Sequence, residues 1–255
     1  MGGYMTSSSS KPLAGRVAIV TGAGRNIGRE TALMLAEDGA AVVVNARANQ
    51  TEADAVVAEI ERGGGRAMAA LADIADAAAV ERMVADTVKH FGRIDFLVNN
   101  AALRREKPLD QMTLAEWRAV MAVTLDGPFL CVQACLPQLK RSGAGAIVNL
   151  GGLSGHAGAR DRLHVVTAKS GLVGFTRGLA HELADHTITV NLVVPGLVGT
   201  ARSGPEPQHH WIRHTLTPDR VPPAEVAATV RFLCGPQARH ITGQTFHVNG
   251  GAYFG

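Results

Sequence analysis

The sequence predicts an α/β protein: a single doubly wound domain with a parallel sheet flanked by helices on both faces. From Arg16 onward, short β-branched runs alternate with longer segments of helical period. This alternation is typical of parallel sheets, whose strands are buried on both faces. No internal repeat and no Ser/Gly linker divides the 255 residues, so we expect one domain.

The predicted elements follow one another in a regular order. Each predicted strand is short and apolar, and segments of helical period occupy most of the intervals between strands. The predicted strands are VAIV at 17–20, AVVV at 41–44, AMAALAD at 67–73, IDFLVNN at 94–100, GAIVNL at 145–150, ITVNLVVP at 188–195 and QTFHVN at 244–249, and the predicted helices are 29–38, 52–62, 77–91, 114–121, 129–140 and 167–183.

Two segments fall outside this rhythm. Residues 1–12, with their serine run, are predicted to be a disordered tail, so that the domain spans 13–255. The segment 196–223, rich in Pro and His, is the one long loop, and we expect it to contact the substrate because long loops in compact domains are usually functional. Its His210 and His214 have an i,i+4 spacing that can bind zinc, but no third ligand has suitable spacing, so no metal is expected.

The composition, 46% hydrophobic and 18% charged, is that of a globular protein. The net charge of +3 comes from scattered residues without a block of like charge, which argues against a nucleic-acid partner. No apolar run reaches the roughly 20 residues of a membrane span. Cys131, Cys135 and Cys234 form no C-x-x-C pair, which favours a reducing cytoplasm over a disulfide framework.

A glycine-rich segment connects the first strand to the first helix. VAIVTGAGRNIGRE places Gly22, Gly24 and Gly28 where backbone N–H groups and a helix N-terminus can hold a pyrophosphate. Glycines also serve ordinary tight turns, but their position in the first βα unit favours a dinucleotide site.

The end of the second strand indicates which dinucleotide binds. In such sites an acidic residue there holds the ribose 2′-OH of NAD(H), whereas VVVNARANQ offers Asn45, Ala46 and Arg47 and no acid. NADP(H) is therefore the expected cofactor. Arg25, inside the glycine segment, supplies a second cation for the 2′-phosphate. The alternative is that both arginines are solvated surface charges.

Four motifs together resemble the short-chain dehydrogenase/reductase family, a Rossmann-type family, and within it the group that includes 3-oxoacyl-carrier-protein reductases. TGAGRNIG matches the glycine motif, Asp73-Ile74 the adenine-contacting pair, NNAA at 99–102 the NNAG motif, and Pro195-Gly196 the turn after the sixth strand. The resemblance covers residues 13–251. Asn26 replaces the middle glycine, a mild change because Asn tolerates positive φ.

The resemblance implies a small-molecule carbonyl or alcohol substrate and a homo-oligomer, either a dimer or a tetramer. Gly171, Gly174 and Gly178 form a stripe on the helix after Lys169, which serves either a subunit interface or close packing in the core. The residues expected at the cofactor are Gly22, Arg25, Asn26, Ile27, Gly28, Arg47, Asp73, Ile74, Asn100, Ala101, Lys169, Pro195, Gly196, Val198 and Thr200.

The catalytic positions depart from the family pattern. In the family a tyrosine donates a proton to the carbonyl oxygen, a serine orients that oxygen, a lysine holds the ribose and lowers the pKa of the tyrosine, and an asparagine assists. Lys169 matches the lysine, but the positions of the tyrosine, serine and asparagine hold Val165, Gly152 and Thr124. Valine cannot donate a proton, and loss of a general acid usually costs about 10²–10⁴ in rate.

Three other side chains offer a replacement. His164 adjoins the vacant position, and an imidazole with a pKa near 6.5 serves as acid or base. On a regular helix, however, it is rotated about 140° from Lys169, so it needs an irregular helix start. His156 and Ser154 form a second candidate pair, and each of the three is also explained by an ordinary structural role.

Two functions from different classes fit these observations. The first is an NADP(H)-dependent oxidoreductase with a non-standard proton donor, in which Lys169 and His164 are catalytic. The second is a catalytically silent NADP(H)-binding protein, acting as a redox sensor or as the partner of an active paralogue. The retained lysine and the neighbouring histidines favour the enzyme, whereas the missing tyrosine and serine favour the silent protein.

Overall fold

The computed structural model describes residues 11–200, 215–217 and 220–255. These residues form one sheet of seven parallel strands in the order β3-β2-β1-β4-β5-β6-β7, which confirms the predicted fold class. The strands are β1 Val17–Val20, β2 Ala41–Ala46, β3 Arg66–Leu71, β4 Phe96–Asn99, β5 Ala146–Leu150, β6 Thr189–Pro195 and β7 Thr245–Val248.

Helices cover both faces of the sheet. Alternate residues of one strand point to opposite faces, so Ala18 and Val20 join one buried cluster while Ile19 joins the other. The helices are α1 Asn26–Glu37, α2 Gln50–Arg62, α3 Ala77–Phe91, α4 Leu114–Met121, α5 Gly127–Ser142, α6 Ser154–Ala157, α7 Leu163–Glu182 and α8 Pro223–Cys234, with a π-helical turn, Ala122–Asp126, between α4 and α5.

The strand order reverses at β1. The chain runs outward from β1 to β3 and then returns to place β4 on the other side of β1. In open parallel sheets the crevice at such a reversal, beyond the carboxyl ends of the strands, is where ligands bind. The loops that follow β1 and β4 therefore mark the expected cofactor cleft.

The helix α8 and the start of α7 differ from the sequence prediction. No helix was predicted at 223–234, but Pro223 stands in the first turn, where proline favours a helix start, and Val226, Val230 and Leu233 are buried at helical spacing. Helix α7 begins at Leu163, four residues before the predicted 167. The β-branched start of this segment has low helix propensity, but its buried side chains overcome that preference.

One continuous helical segment, Leu114–Ser142, has the length and composition of a membrane span. Its apolar residues Cys131, Cys135 and Leu139 are fully buried in the cluster beneath the sheet. Core helices of globular proteins pass the same test, so the segment is weak evidence for a span.

Several predictions concern residues outside the described ranges. These are nearly all of the N-terminal tail, His210 and His214, and the middle of the long loop. The two ends of that loop are described and lie together: Val198 and Val221 form a parallel bridge, and the Gly199 N–H donates to the Val221 carbonyl at 3.0 Å. Beyond the bridge, the Leu216 N–H donates to the Gly250 carbonyl at 2.7 Å.

Asp95, just before β4, is completely buried and joins the first strand to the fourth. Its carboxylate accepts hydrogen bonds from the Val17 N–H (2.9 Å), Arg16 Nη1 (2.8 Å), the Arg93 guanidinium (2.6 and 2.8 Å) and Ser142 Oγ (2.5 Å). Burial by itself raises the pKa of this carboxyl, but the four hydrogen-bonding groups outweigh burial and hold its pKa below the ordinary value.

Candidate active site and cofactor cleft

The glycine segment between β1 and α1 forms a tight loop that requires glycine. Gly22 has a φ of 62°, in the left-handed region. A Cβ at Gly28 would lie 2.3 Å from the Gly22 carbonyl oxygen and 2.5 Å from Asn100 Nδ2. Asn26, where the family has glycine, has a φ of 51°, a conformation that Asn adopts more readily than other non-glycine residues.

The loops after β1 and β4 are held together as one unit. Asn100 Nδ2 donates to the carbonyl oxygens of Thr21 (2.8 Å) and Gly22 (3.0 Å). Thr21 Oγ1 in turn accepts from the backbone N–H groups of Asn100 and Ala101, both at 3.0 Å. Asn100 and Ala101 thus shape the glycine loop, and their predicted place beside the nucleotide stays a prediction.

The N-terminus of α1 suits a phosphate. Among the described helices, α2, α3 and α4 have side-chain caps from Asn49, Asp76 and Thr113, whereas the cap residue of α1, Arg25, makes no side-chain cap hydrogen bond. No acidic residue lies in the first turn of α1. Its N–H groups and positive dipole end are therefore suited to a pyrophosphate.

At the end of β2, Asn45 does not occupy the place of a ribose ligand. Asn45 is buried: its Oδ1 accepts from the Gly22 N–H (3.2 Å), and its Nδ2 donates to the carbonyls of Ala70 and Ala72 (both 3.1 Å). It therefore supports the glycine loop instead of reading the ribose. Arg47, two residues later, is exposed, as is Arg25, so both side chains are available to a phosphate.

Glu52 is a charged neighbour of the glycine loop that the sequence analysis did not identify. A Cβ at Gly24 would lie 3.1 Å from Glu52 Cβ and 3.4 Å from its Oε2. The sequence signal that could have located Glu52 was Asn49, a typical N-cap residue. Its side chain accepts from the Glu52 N–H at 3.1 Å and so fixes where α2 begins. Glu52, in the first turn of α2, therefore lies beside the glycine loop that precedes α1.

The remaining predicted cofactor positions lie at the carboxyl ends of the sheet. Ile74 packs against Gly127, where a Cβ would be 2.7 Å from its Cδ1. Gly196 approaches Asn249 closely, because a Cβ there would lie 2.6 Å from Asn249 Cα. Asp73 accepts from the Ala75 N–H at 3.0 Å, and the Thr200 N–H donates to the Val198 carbonyl at 2.9 Å.

Lys169, on α7, has its ammonium inside the protein. The residue is 7% exposed, and Nζ donates to the backbone carbonyl of Leu150 at 2.6 Å, at the end of β5. Burial, followed by the positive charges of Arg104 and Arg162, lowers the pKa of the ammonium to about 7. The ammonium therefore exchanges its proton near neutral pH.

Gly152 and Ser154 lie beside the Lys169 side chain. A Cβ at Gly152 would be 3.7 Å from Lys169 Cγ, 3.9 Å from its Cδ and 3.9 Å from Ser154 Oγ, all ordinary contacts. Ser154 itself is buried. The hydroxyl of Ser154 is therefore next to the position that the resemblance gives to the family's serine.

Val165 and Thr124 lie in apolar surroundings. Val165 is 3% exposed and packs in a cluster with Val120 and Ala168. Thr124 lies in the π-helical turn, and its buried Oγ1 has no hydrogen-bond partner within the described part of the chain. Val165 has no exchangeable side-chain proton, and Thr124 carries a hydroxyl where the family has an asparagine amide.

His164 is completely buried on the first turn of α7. The helix is regular from Leu163, so the irregular start that His164 needs in order to face Lys169 is absent. Burial is the main cause that lowers the pKa of the imidazole, and the Arg162 backbone opposes it only in part. Neither ring nitrogen reaches a partner at hydrogen-bond geometry among the described residues.

His156 lies in an aromatic cluster that the sequence analysis did not foresee. Its ring centroid is 4.8 Å from that of His247 on β7 and 5.5 Å from that of Tyr253. Burial, then the charges of His247 and Arg177, lowers the pKa of His156. These partners are far away in the chain, so no local pattern signals them, and they give His156 a packing role.

Comparison with known proteins gives the family. A family model described as "Enoyl-(Acyl carrier protein) reductase" matches residues 22–253. The 3-oxoacyl-[acyl-carrier-protein] reductase of Synechocystis sp. is 42% identical over 240 residues, covering 94% of this chain and 97% of that protein.

Solved structures agree. A dehydrogenase/reductase from Sinorhizobium meliloti 1021 has a TM-score of 0.90 and 36% identity, covering 96% of this chain and 98% of that one. A short chain dehydrogenase from Burkholderia cenocepacia J2315, solved in complex with NADP, has a TM-score of 0.88 and 36% identity, covering 94% and 99%. The chain belongs to the short-chain dehydrogenase/reductase family and is similar to its 3-oxoacyl-[acyl-carrier-protein] reductases.

Proposed function

We propose that this short-chain oxidoreductase uses NADP(H) to reduce a carbonyl or oxidise an alcohol, with a proton donor other than tyrosine. The observation that carries the proposal is the buried Lys169 ammonium, hydrogen-bonded at 2.6 Å to the end of β5 beside Gly152 and Ser154. Burying an ammonium costs free energy. Beside Gly152 and Ser154 the ammonium can serve proton transfer in addition to the ribose contact that the resemblance implies.

The cofactor, when bound, supplies or accepts the hydride. The glycine loop and the N-terminus of α1 would hold its pyrophosphate, and Arg25 and Arg47 its 2′-phosphate. Asp73 and Ile74 would contact the adenine, and the turn at Pro195-Gly196 the nicotinamide, with Val198 and Thr200 following it. Support comes from the Burkholderia relative, which was solved with NADP.

The substrate is proposed to be a small carbonyl compound or alcohol, and the location a reducing cytoplasm. The described cysteines are free and buried, which agrees with that compartment without requiring it. The loop 196–223 is proposed to contact the substrate. Lys169 and His164 are the candidate catalytic proton donors.

The test is stereospecific hydride exchange. Purified protein is mixed with NADPH labelled on one face of C4 and with a panel of carbonyl compounds that includes ketones and 3-oxoacyl thioesters. We expect label to move from one face only into at least one product. A protein that binds NADPH tightly but moves no label to any member of the panel would overturn the proposal.

A second candidate, the silent NADP(H)-binding protein, is favoured by one specific observation. Val165 is packed in an apolar cluster, and Gly152 carries no hydroxyl. In this case the protein senses the redox state or partners an active paralogue. Absence of label transfer together with retained binding is the result that this candidate predicts.

The cofactor preference is directly testable. Because exposed Arg47 and Arg25 flank the cleft and no acid reads the ribose, we expect NADPH to bind at least about tenfold more tightly than NADH, or about 1.4 kcal/mol. Calorimetric titration measures both affinities. Arg47→Ala should remove most of the preference, whereas Arg62→Ala, at the exposed end of α2, should leave it unchanged. Equal affinities in the unmodified protein would contradict this prediction.

A homo-oligomer is proposed because an exposed glycine face lies on α7. Gly171 packs within the chain against Leu125, but Cβ atoms at Gly174 and Gly178 would have no neighbour within 4 Å. We expect a dimer or tetramer by light scattering at micromolar concentration. Gly174→Leu should weaken the assembly without unfolding the subunit, because leucine favours a helix over glycine by about 1 kcal/mol. Ala78→Leu, on exposed α3, is the control, and a monomer in the unmodified protein would refute the assembly.

A further inference from the structure

The proton source of the proposed reaction has to be found among the described side chains near the end of β5. Among those with exchangeable protons are Lys169, Ser154, His164 and the arginines 104 and 162. His156 also lies on α6, but its ring packs against His247 and Tyr253. Arginine does not release a proton in proteins, because its pKa exceeds about 12. His164 is turned away from Lys169 on a regular helix and lies fully buried. Only Lys169 and Ser154 lie together beside the open position at Gly152.

Lys169 has the hydrogen-bonding capacity for the task. An ammonium has three N–H donors, and one of them is used on the Leu150 carbonyl. The bond anchors Nζ at the carboxyl end of β5, where the cleft is. The side chain stem passes 3.7 Å from the Cβ position of residue 152, the position where the family has its serine.

The charges around Lys169 favour release of its proton. Arg104, in the loop after β4, and Arg162, at the start of α7, both act on the ammonium with positive charge. Of the other elements packed against α7, α6 carries His156, and α4 carries Glu116, whose charge acts on His164. The π-helical turn carries Asp126, the turn Ala184–His186 carries Asp185 and His186, and β6 carries no titratable side chain. No carboxylate contributes to the described surroundings that act on Lys169.

We propose that Lys169 is itself the general acid, donating a proton from Nζ to the carbonyl oxygen, and that the Ser154 hydroxyl orients that oxygen. The inference rests on the proposed function. The carbonyl carbon would accept a hydride from bound NADPH, whose C4–H bond breaks as the new C–H bond forms, and the π pair of the C=O bond would move to oxygen. The oxygen takes a proton from Nζ, and neutral Lys169 regains a proton from water. The sum is carbonyl, NADPH and H⁺ giving alcohol and NADP⁺.

The first experiment separates proton donation from cofactor binding. Lys169→Arg keeps the positive charge for the ribose but cannot release a proton, so NADPH affinity by calorimetry should stay within about threefold while kcat falls by about 10²–10⁴-fold. Lys169→Ala should lose kcat similarly and regain part of it with added methylamine or ethylamine. Lys89→Arg, on the exposed surface of α3, is the matched control.

Two further readouts are specific to an acid at this site. In the reduction direction kcat should fall as pH rises through about 7, since the ammonium is then lost. The ¹³Cε shift of Lys169, assigned by comparison with Lys169→Arg, should titrate in the same range without any substrate present. Ser154→Ala should lower kcat by about 10²-fold with NADPH affinity unchanged, and Ser154→Thr should restore part of it.

The outcomes distinguish this inference from the proposed function. If the unmodified protein transfers label and Lys169→Arg keeps at least a third of kcat, the lysine assignment is wrong and the oxidoreductase stands. A Lys169 signal that does not titrate between pH 5 and 9 overturns the assignment as well. If the unmodified protein transfers no label to any substrate, the proposed function and this inference fail together.

Discussion

Val165→Tyr combined with Gly152→Ser is expected to raise NADPH oxidation with simple ketones or acetoacetyl thioesters by about 10²–10⁴-fold. The double variant adds the tyrosine acid and the serine hydroxyl that the resemblance places at these two positions to the proposed Lys169 and Ser154. The gain is expected with these simple substrates, which Lys169 and Ser154 alone are expected to serve poorly. Initial rates at pH 7 with saturating NADPH measure the gain. A pH profile no longer governed by Lys169 alone would accompany it.

The two substitutions differ in steric cost: Gly152→Ser is accommodated more readily than Val165→Tyr. A Cβ at Gly152 meets its nearest neighbours at 3.7 Å, so serine fits without displacement. Val165 is 3% exposed and packed against Val120 and Ala168, so a tyrosine ring must displace side chains at a cost of about 1–3 kcal/mol. Circular dichroism and NADPH calorimetry establish that the variant folds and binds.

Matched variants isolate the hydroxyl groups. Val165→Phe with Gly152→Ala adds the same ring and Cβ without either hydroxyl, and should show no gain. If the folded, NADPH-binding tyrosine–serine protein is no faster than the phenylalanine–alanine protein, the pocket has diverged from the family's reaction geometry.

Asp95→Ala is expected to lower the free energy of unfolding at pH 7 by about 3 kcal/mol, as when one partner of a buried ion pair is removed. The variant loses the hydrogen bonds from Arg16, Arg93 and Ser142, and leaves the buried N–H of Val17 without its acceptor. Urea unfolding followed by circular dichroism measures the loss. Asp54→Ala, on the exposed face of α2, should change stability by less than about 0.5 kcal/mol.

The pH dependence of this loss has a defined sign. The pKa of Asp95 is lower in the folded protein than its ordinary value of 3.8. Its contribution is therefore complete above that ordinary value and is lost as pH falls through the folded pKa. The difference between the unmodified protein and Asp95→Ala should shrink when both are measured near pH 3. A difference that is the same at pH 7 and pH 3 would show that packing alone explains the cost.

The sheet was predictable because its five inner strands are buried on both faces and therefore consist mainly of apolar residues. Helix α8 was not predicted, since Pro222 and Pro223 extend the Pro-rich composition of the preceding loop into its first turn. The early start of α7 was also missed, because the packing of His164 and Val165 overrides weak local propensity.

The cofactor cleft was more accessible to sequence reasoning than the reaction centre. Gly22, Gly28 and Asn100 are close in the structure because the loops after β1 and β4 meet. The family resemblance had implied that Asn100 flanks the nucleotide. The contact of Lys169 with the Leu150 carbonyl and the position of Ser154 depend on how α6 and α7 pack. The period of hydrophobic residues in the sequence does not predict that packing. The exposed Arg47 was predicted, whereas the bracing role of Asn45 was not.

The placement of β4 beside β1 has a consequence for biosynthesis. The hydrogen bond between Thr21 Oγ1 and the Asn100 N–H joins residues 79 apart, as does the ion pair between Arg16 and Asp95. At about 5–20 residues per second, the ribosome needs roughly 4 to 16 s to translate that interval. During this time β1 has an unpaired edge, which is a template for association with other strands. Association through this edge therefore remains possible until residues 96–99 have been translated and β4 can pair with β1.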